Sequence, residues 1–178
     1  MNEEGEFCIF YLVSLTKNVK ASKRKDGNSL QRKEQWPASY FFKRITQSLM
    51  NALQKKLDRY GITNAQVFVM LCLSSEDGLS QNELLKHLQI KAPSLTTLLD
   101  QLEKKALIER RPDSQDGRTK RIYLSPSGTQ FLEEEMRPIF NELEEKLLSG
   151  LSQEERALLF PLLIRLYQNT YEYEIDSN

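Results

Sequence analysis

The residues best placed to do chemistry are short hydrogen-bonding side chains near the middle of the chain. Ser94, Thr97, Gln101 and Lys104 recur at spacings of three, four and three, with Lys91 and Thr96 at the start of the same run. That spacing places them on one face of a helix. Hydroxyl and amide groups so arranged bond base edges or phosphate oxygens, and none is a strong acid, base or nucleophile. Directly downstream, Arg110, Arg111, Arg118, Lys120 and Arg121 stand against Asp113 and Asp116, five positive charges to two negative. The chemistry on offer is charge neutralisation and hydrogen bonding to an extended anion.

Bond-making chemistries find little to work with. The single histidine, His87, lies in the amphipathic run ELLKHLQI and reads as a surface or capping residue, so a Ser-His or Cys-His mechanism would hang on it alone. Glycines 61, 78, 117, 128 and 150 each fall between periodic segments and read as punctuation, forming neither a dinucleotide fingerprint nor a phosphate loop. Cys8 and Cys72 lie 64 residues apart, in no metal-type or redox-type spacing, and their count excludes a disulfide scaffold. The expectation is a protein that is not an enzyme, with no catalytic residue, metal or cofactor. The longest apolar stretch, residues 7–15, is about half of what a bilayer-crossing helix needs. Glu3, Glu4 and Glu6 precede it where a secretory signal would be basic. A cytoplasmic protein without a membrane span is expected.

The elements that must position these residues are legible from periodicity. From Tyr40 to Tyr60, Phe41, Phe42, Ile45, Leu49, Leu53 and Leu57 form one stripe, closed by Gly61. Thr63 caps a second helix, with Val67, Phe68, Leu71 and Cys72 at helical spacing. Ser80 and Glu83 make a capping box for a short helix that buries Leu84, Leu85 and Leu88 and ends near Ile90. Ala92-Pro93-Ser94 opens the next, whose buried stripe is Leu95, Leu98, Leu99 and Leu102. Two short helices joined by a tight turn have a helix-turn-helix layout. Residues 107–111 and 119–124 have strand character and flank a turn-rich loop, which predicts a basic β-hairpin, or wing.

Ser125-Pro126 then opens a helix striped by Phe131, Met136, Ile139, Leu143 and Leu147. A second capping box, Ser152 with Glu155, starts a last helix striped by Leu159, Leu162, Leu163, Leu166 and Tyr167. Pro138 and Pro161 predict kinks. These helices have more apolar face than so small a domain can cover, and the fitting partner is the same surface on a second copy. The fold class expected is mainly α with a small β-hairpin wing: a winged helix-turn-helix over 63–124, helical dimerisation segments at 36–62 and 125–174, and a basic arm over 1–35. The zero net charge is an average: residues 1–63 carry plus six, 64–124 plus one and 125–178 minus seven.

The run LLDQLEKKALIERRPDSQDGRTKRIYLSPSG at residues 98–128 carries a resemblance. With the segment from about Tyr40 to Tyr171, it resembles the MarR family of bacterial transcription regulators, winged-helix homodimers. Ser125 stands where threonine is commoner in that family, Ala106 where glycine is usual, and Thr97 where many members have arginine. The resemblance implies a homodimer on double-stranded DNA with a pseudo-palindromic operator, acting as a repressor. It implies Ser94, Thr96, Thr97 and Gln101 in the major groove, with Lys91 beside them, and Arg118 at the wing tip in the minor groove. Ser80 and Gln81, at a helix N-terminus, are phosphate-contact candidates, with Arg110 and Lys120 from the wing; Asp116 is expected to pair with a nearby arginine or to form the turn. It also implies a small aromatic or amphipathic ligand between the dimer helices and the DNA-binding lobe, with Trp36, Tyr40, Phe41 and Phe68 as candidate lining; plain packing is the alternative for each. Two further alternatives are a winged helix that binds protein instead of DNA and a thiol-based redox sensor. Cys8 lies upstream of the position that oxidant-sensing relatives use, and Cys72 sits on an apolar stripe.

Overall fold

A computed structural model describes residues 36–113 and 119–176. The basic arm with Cys8, and the loop with Asp116 and Arg118, lie outside the described residues. The chain forms two compact units, one reaching Ile139 and one from Phe140 onward.

In the first unit, helix α1 (Ala38–Leu57) ends in a 3-10 turn (Asp58–Tyr60). Gly61 at φ +60° then reverses the chain. Of the predicted stripe on α1, Leu53 and Leu57 are buried, whereas Phe41, Phe42 and Ile45 stay about 40% exposed. Helix α2 (Asn64–Ser75) starts at the capping box of Thr63 and Gln66 and is apolar nearly all round, with seven residues from Gln66 to Leu73 buried. A helix of that composition belongs at the centre of a core. Phe68 and Cys72 are both in it, at 4% and 2% exposure.

Strand β1 (Leu79–Ser80) leads into helix α3 (Gln81–Leu88), whose Ser80–Glu83 box forms as expected. This helix stops at Leu88, two residues before the expected end, because Gln89 takes a left-handed conformation at φ +49°. Helix α4 (Ala92–Lys104) carries Pro93 in its first turn and buries Leu95, Leu99 and Leu102 completely. Strands β2 (Ile108–Pro112) and β3 (Lys120–Leu124) pair antiparallel. The wing supplies two strands of a three-stranded sheet of order β1-β3-β2, with β3 at its centre, where Leu79 pairs Ile122 and Ser80 pairs Arg121. So the expected hairpin gains a third strand, which ties the start of α3 to the wing.

Ser125, buried, caps helix α5 (Pro126–Phe131), which continues through a π-helical turn (Leu132–Met136) into α6 (Arg137–Leu147). The π turn lies directly ahead of Pro138, where Arg137 donates its N–H to the Leu132 carbonyl, five residues back. Proline has no N–H for the carbonyl four residues earlier and its ring crowds that group, which favours a widened turn ahead of Pro138, the position where a kink is expected. Leu132, four residues before Met136, completes the ordinary helical stripe with Met136, Ile139 and Leu143. Leu132 is buried in place of the expected Phe131.

Gly128 corrects another expectation. It lies inside α5, and a Cβ there would sit 2.0 Å from the Leu107 carbonyl oxygen. It is a close-packing residue, where helix and wing base touch backbone to backbone.

In the second unit, the Ser152–Glu155 box opens helix α7 (Gln153–Asp176), with Ser152 N–H donating to Glu155 Oε2 at 2.7 Å. Pro161 lies inside this helix. Leu158, Leu162, Ile164, Leu166 and Tyr167 are all exposed.

Candidate nucleic-acid interface

Helix α4 presents two contrasting faces. Leu95, Leu99 and Leu102 anchor its back, and Lys91, Ser94, Thr96, Thr97 and Gln101 are exposed. Thr97 Oγ1 donates to the Pro93 carbonyl at 3.0 Å, and Thr96 Oγ1 to that of Ala92 at 3.1 Å. These back-bonds use the hydroxyl hydrogens and leave oxygen lone pairs as acceptors. Gln81 Nε2 already donates to Thr96 Oγ1 at 2.8 Å, which locks the first turn of α3 to α4. The Ser94 hydroxyl and the Lys91 ammonium have no partner among the described residues. Gln101 is partly committed: its Oε1 accepts from Nε2 of the buried Gln66 at 2.8 Å, fixing its amide and leaving the NH2 group to donate.

At the start of α3, Ser80 Oγ accepts from Glu83 N–H at 3.3 Å and Ser80 N–H donates to Glu83 Oε2 at 2.7 Å. The bonds from Ser80 hold the Glu83 carboxyl below the usual carboxylate range, with nearby Arg121 adding to the effect. Beside this turn a groove of about 310 Å³ is lined by Ser80, Gln81, Asn82, Arg110, Thr119, Lys120 and Ile122. It joins the phosphate-contact candidates of α3 to those of the wing.

The wing is less free in its charge than its sequence implies. Arg121 donates to Asp113 at 2.7 Å, to the Gly78 carbonyl at 3.0 Å and to Glu83 at 3.3 Å. Its guanidinium pKa is raised, chiefly by the bond to Asp113. Arg111 pairs with Glu109 at 2.9 Å and lies over the Tyr123 ring, 4.6 Å from its centroid. Arg110 pairs with Asp100 at 2.7 Å and with Glu103. Lys120 has no ion pair among the described residues. Counting plus three on this hairpin therefore overstates what is available to an external anion.

The ligand candidates divide. Trp36 and Tyr40 stack edge-on with centroids 3.9 Å apart, and Tyr40 and Phe41 at 5.7 Å, around the start of α1. Phe68 is core, and no ring contact joins it to them among the described residues.

Sequence reasoning missed Asp100, Glu103 and Gln66, as well as a cluster at the end of α1. There the Tyr60 hydroxyl donates to Glu135, Arg59 donates to that hydroxyl, and the Tyr60 ring meets Phe131 edge-on at 5.2 Å. The bond to Glu135 raises the Tyr60 pKa. Among the described residues, no three His, Cys, Asp or Glu side chains gather to hold a metal, and no helix is long and apolar enough to cross a membrane.

The sequence pattern of the MarR family matches residues 62–120, the stretch from the turn before α2 to the start of β3. MepR from Staphylococcus aureus, solved in complex with DNA, is 36% identical and superposes with a TM-score of 0.64, covering 76% of this chain and 99% of its own. This chain belongs to the MarR family. MarR from E. coli, in its apo form, is 27% identical with a TM-score of 0.69, over 74% of this chain and 96% of that one. Another MepR structure, of a transcription regulator of the S. aureus multidrug efflux pump MepA, matches at 35% identity with a TM-score of 0.64, covering 76% of this chain and 99% of that one. Members of the MarR family are DNA-binding transcription regulators rather than enzymes, and the winged helix of this chain is the corresponding element.

Proposed function

We propose that this protein is a homodimeric repressor that binds a pseudo-palindromic operator and is released by a small aromatic or amphipathic ligand, acting in the cytoplasm. The observation that carries the DNA-binding part is α4: its back is sealed into the core by three fully buried leucines while hydroxyl and amide groups stand outward. In this reading Lys91, Ser94, Thr96, Thr97 and the Gln101 amide enter the major groove. Ser80, Gln81 and Lys120 meet phosphates around the groove beside α3, and Arg118 reaches the minor groove. With threonine at position 97, the helix lacks there the forked donor that reads guanine, so its sequence preference rests on single hydroxyl contacts and on DNA shape.

The dimer is supported by the apolar side chains exposed on α1 and α7, which a second copy would cover, in line with dimerisation segments at 36–62 and 125–174 around a DNA-binding domain at 63–124. Trp36, Tyr40 and Phe41 offer the aromatic surface for a ligand. A dimer must match both half-sites together, so a ligand that alters lobe spacing would release the operator.

Footprinting on DNA upstream of the protein's own gene tests this reading. It predicts two protected half-sites about one helical turn apart, weakening as salt rises. A blank footprint with no salt-dependent affinity would favour a protein-binding winged helix.

A further inference from the structure

Arg110 looks, by sequence, like one more phosphate contact, and its surroundings say otherwise. Its side chain is 19% exposed, and its two terminal nitrogens go to two carboxylates of α4: Nη2 to Asp100 Oδ1 at 2.7 Å, and Nη1 to Glu103. Asp100 and Glu103 are three residues apart, one turn of the same helix. At 100° per residue, Asp100 projects opposite Leu102 and Leu95, the residues that seal the helix back, and between Thr96 and Thr97. So a carboxylate stands near the centre of the face that presents Thr97 and Lys104, and half of its side chain is open to solvent. An uncovered negative charge there would oppose any polyanion approaching that face.

We infer that Arg110 is a positioning residue, the internal counter-ion of the recognition helix. It neutralises Asp100 and Glu103, holds the last turns of α4 against β2, and makes no phosphate contact of its own. The forked guanidinium suits this role, since it serves two acceptors from one strand position where a lysine would serve one point. The inference rests on α4 being the helix that meets DNA.

The probe is a duplex selected by the wild-type protein from a random-sequence pool, with affinity measured for wild type, Arg110→Gln, the Asp100→Asn/Glu103→Gln pair, and the triple variant. Failure of wild type to select any duplex would sink the DNA reading itself. Given wild-type binding, Arg110→Gln should weaken it roughly 10- to 100-fold, because two carboxylates are uncovered before the phosphates. In the triple variant that loss should vanish to within a few-fold. A triple variant as weak as Arg110→Gln would overturn the counter-ion role and restore Arg110 as a phosphate contact. A second measurement needs no variant. With guanidinium NMR on the wild-type protein, the Arg110 side-chain resonances should keep their shifts and slow exchange when duplex is added; a large shift on binding would overturn the inference.

Discussion

Gly128→Ala is the most stringent test of how the wing is mounted. An alanine Cβ built on this backbone lies 2.0 Å from the Leu107 carbonyl oxygen and 3.2 Å from Leu124 Cδ2. Carbon and oxygen rest comfortably at about 3.3 Å, so the two backbones must part by roughly 1.3 Å. Little can yield. The Leu107 carbonyl accepts from Ser125 N–H at 3.1 Å, the Leu107 N–H donates to Leu102 at 3.0 Å, and Ser125 Oγ bonds the Ala106 carbonyl at 2.5 Å. Overpacking of this kind costs about 1–3 kcal/mol, and a backbone contact belongs at the upper end. Helix propensity acts the other way, favouring alanine by up to about 1 kcal/mol. The net is a loss near 2 kcal/mol, a fall in Tm of about 4–8 °C for a chain of this length. Thermal melting followed by circular dichroism reads it directly. An unchanged or raised Tm would mean that propensity wins and that helix and wing base do not touch as described.

Other outcomes follow from single residues. Ala106 holds a left-handed conformation at φ +56°, a strain of about 1 kcal/mol for a residue with a side chain, so Ala106→Gly should raise Tm by about 1–3 °C despite glycine's looser unfolded chain; a lower Tm would refute this. The Glu83 carboxyl is held low by Ser80 in the folded state, so its contribution is complete above the unfolded value of about 4.3 and is lost as pH falls through the folded one. Glu83→Gln should therefore lose stability less steeply than wild type below about pH 4 in urea titrations, and parallel curves would contradict the capping geometry. Burial pushes the Cys72 thiol up to about 12, so in a Cys8→Ser background a thiol reagent at pH 8 should label it in urea and not in buffer. Native labelling would show that α2 is not the closed core helix seen here.

What could be read from the sequence were features decided within a few residues. The boxes at Ser80–Glu83 and Ser152–Glu155 are local, and both helices begin where those motifs place them. Periodicity likewise gave the two-faced character of α4, since the leucine stripe and the hydroxyl stripe are properties of one helix. What depended on partners far along the chain was not legible. Strand β1 is two residues long and exists because β3 offers an edge to it. Pro138 foreshadowed a helix irregularity but not its form, a π turn over Leu132–Met136. Gly128 read as punctuation because its reason, a carbonyl twenty-one residues upstream, is tertiary. The pairing of Arg110 with Asp100 and Glu103 had a signal, two carboxylates one turn apart with Asp100 beside Thr97, and the charge count of the wing passed over it.

The most direct test of the central reading, that the exposed face of α4 binds duplex DNA, is equilibrium binding of the full chain to its selected duplex over a range of salt. Wild type should show affinity falling linearly with salt on logarithmic axes, and a Ser94→Ala/Thr97→Ala variant should bind roughly tenfold more weakly as two modest hydrogen bonds are lost. Salt-independent binding, or a double variant indistinguishable from wild type, would contradict it.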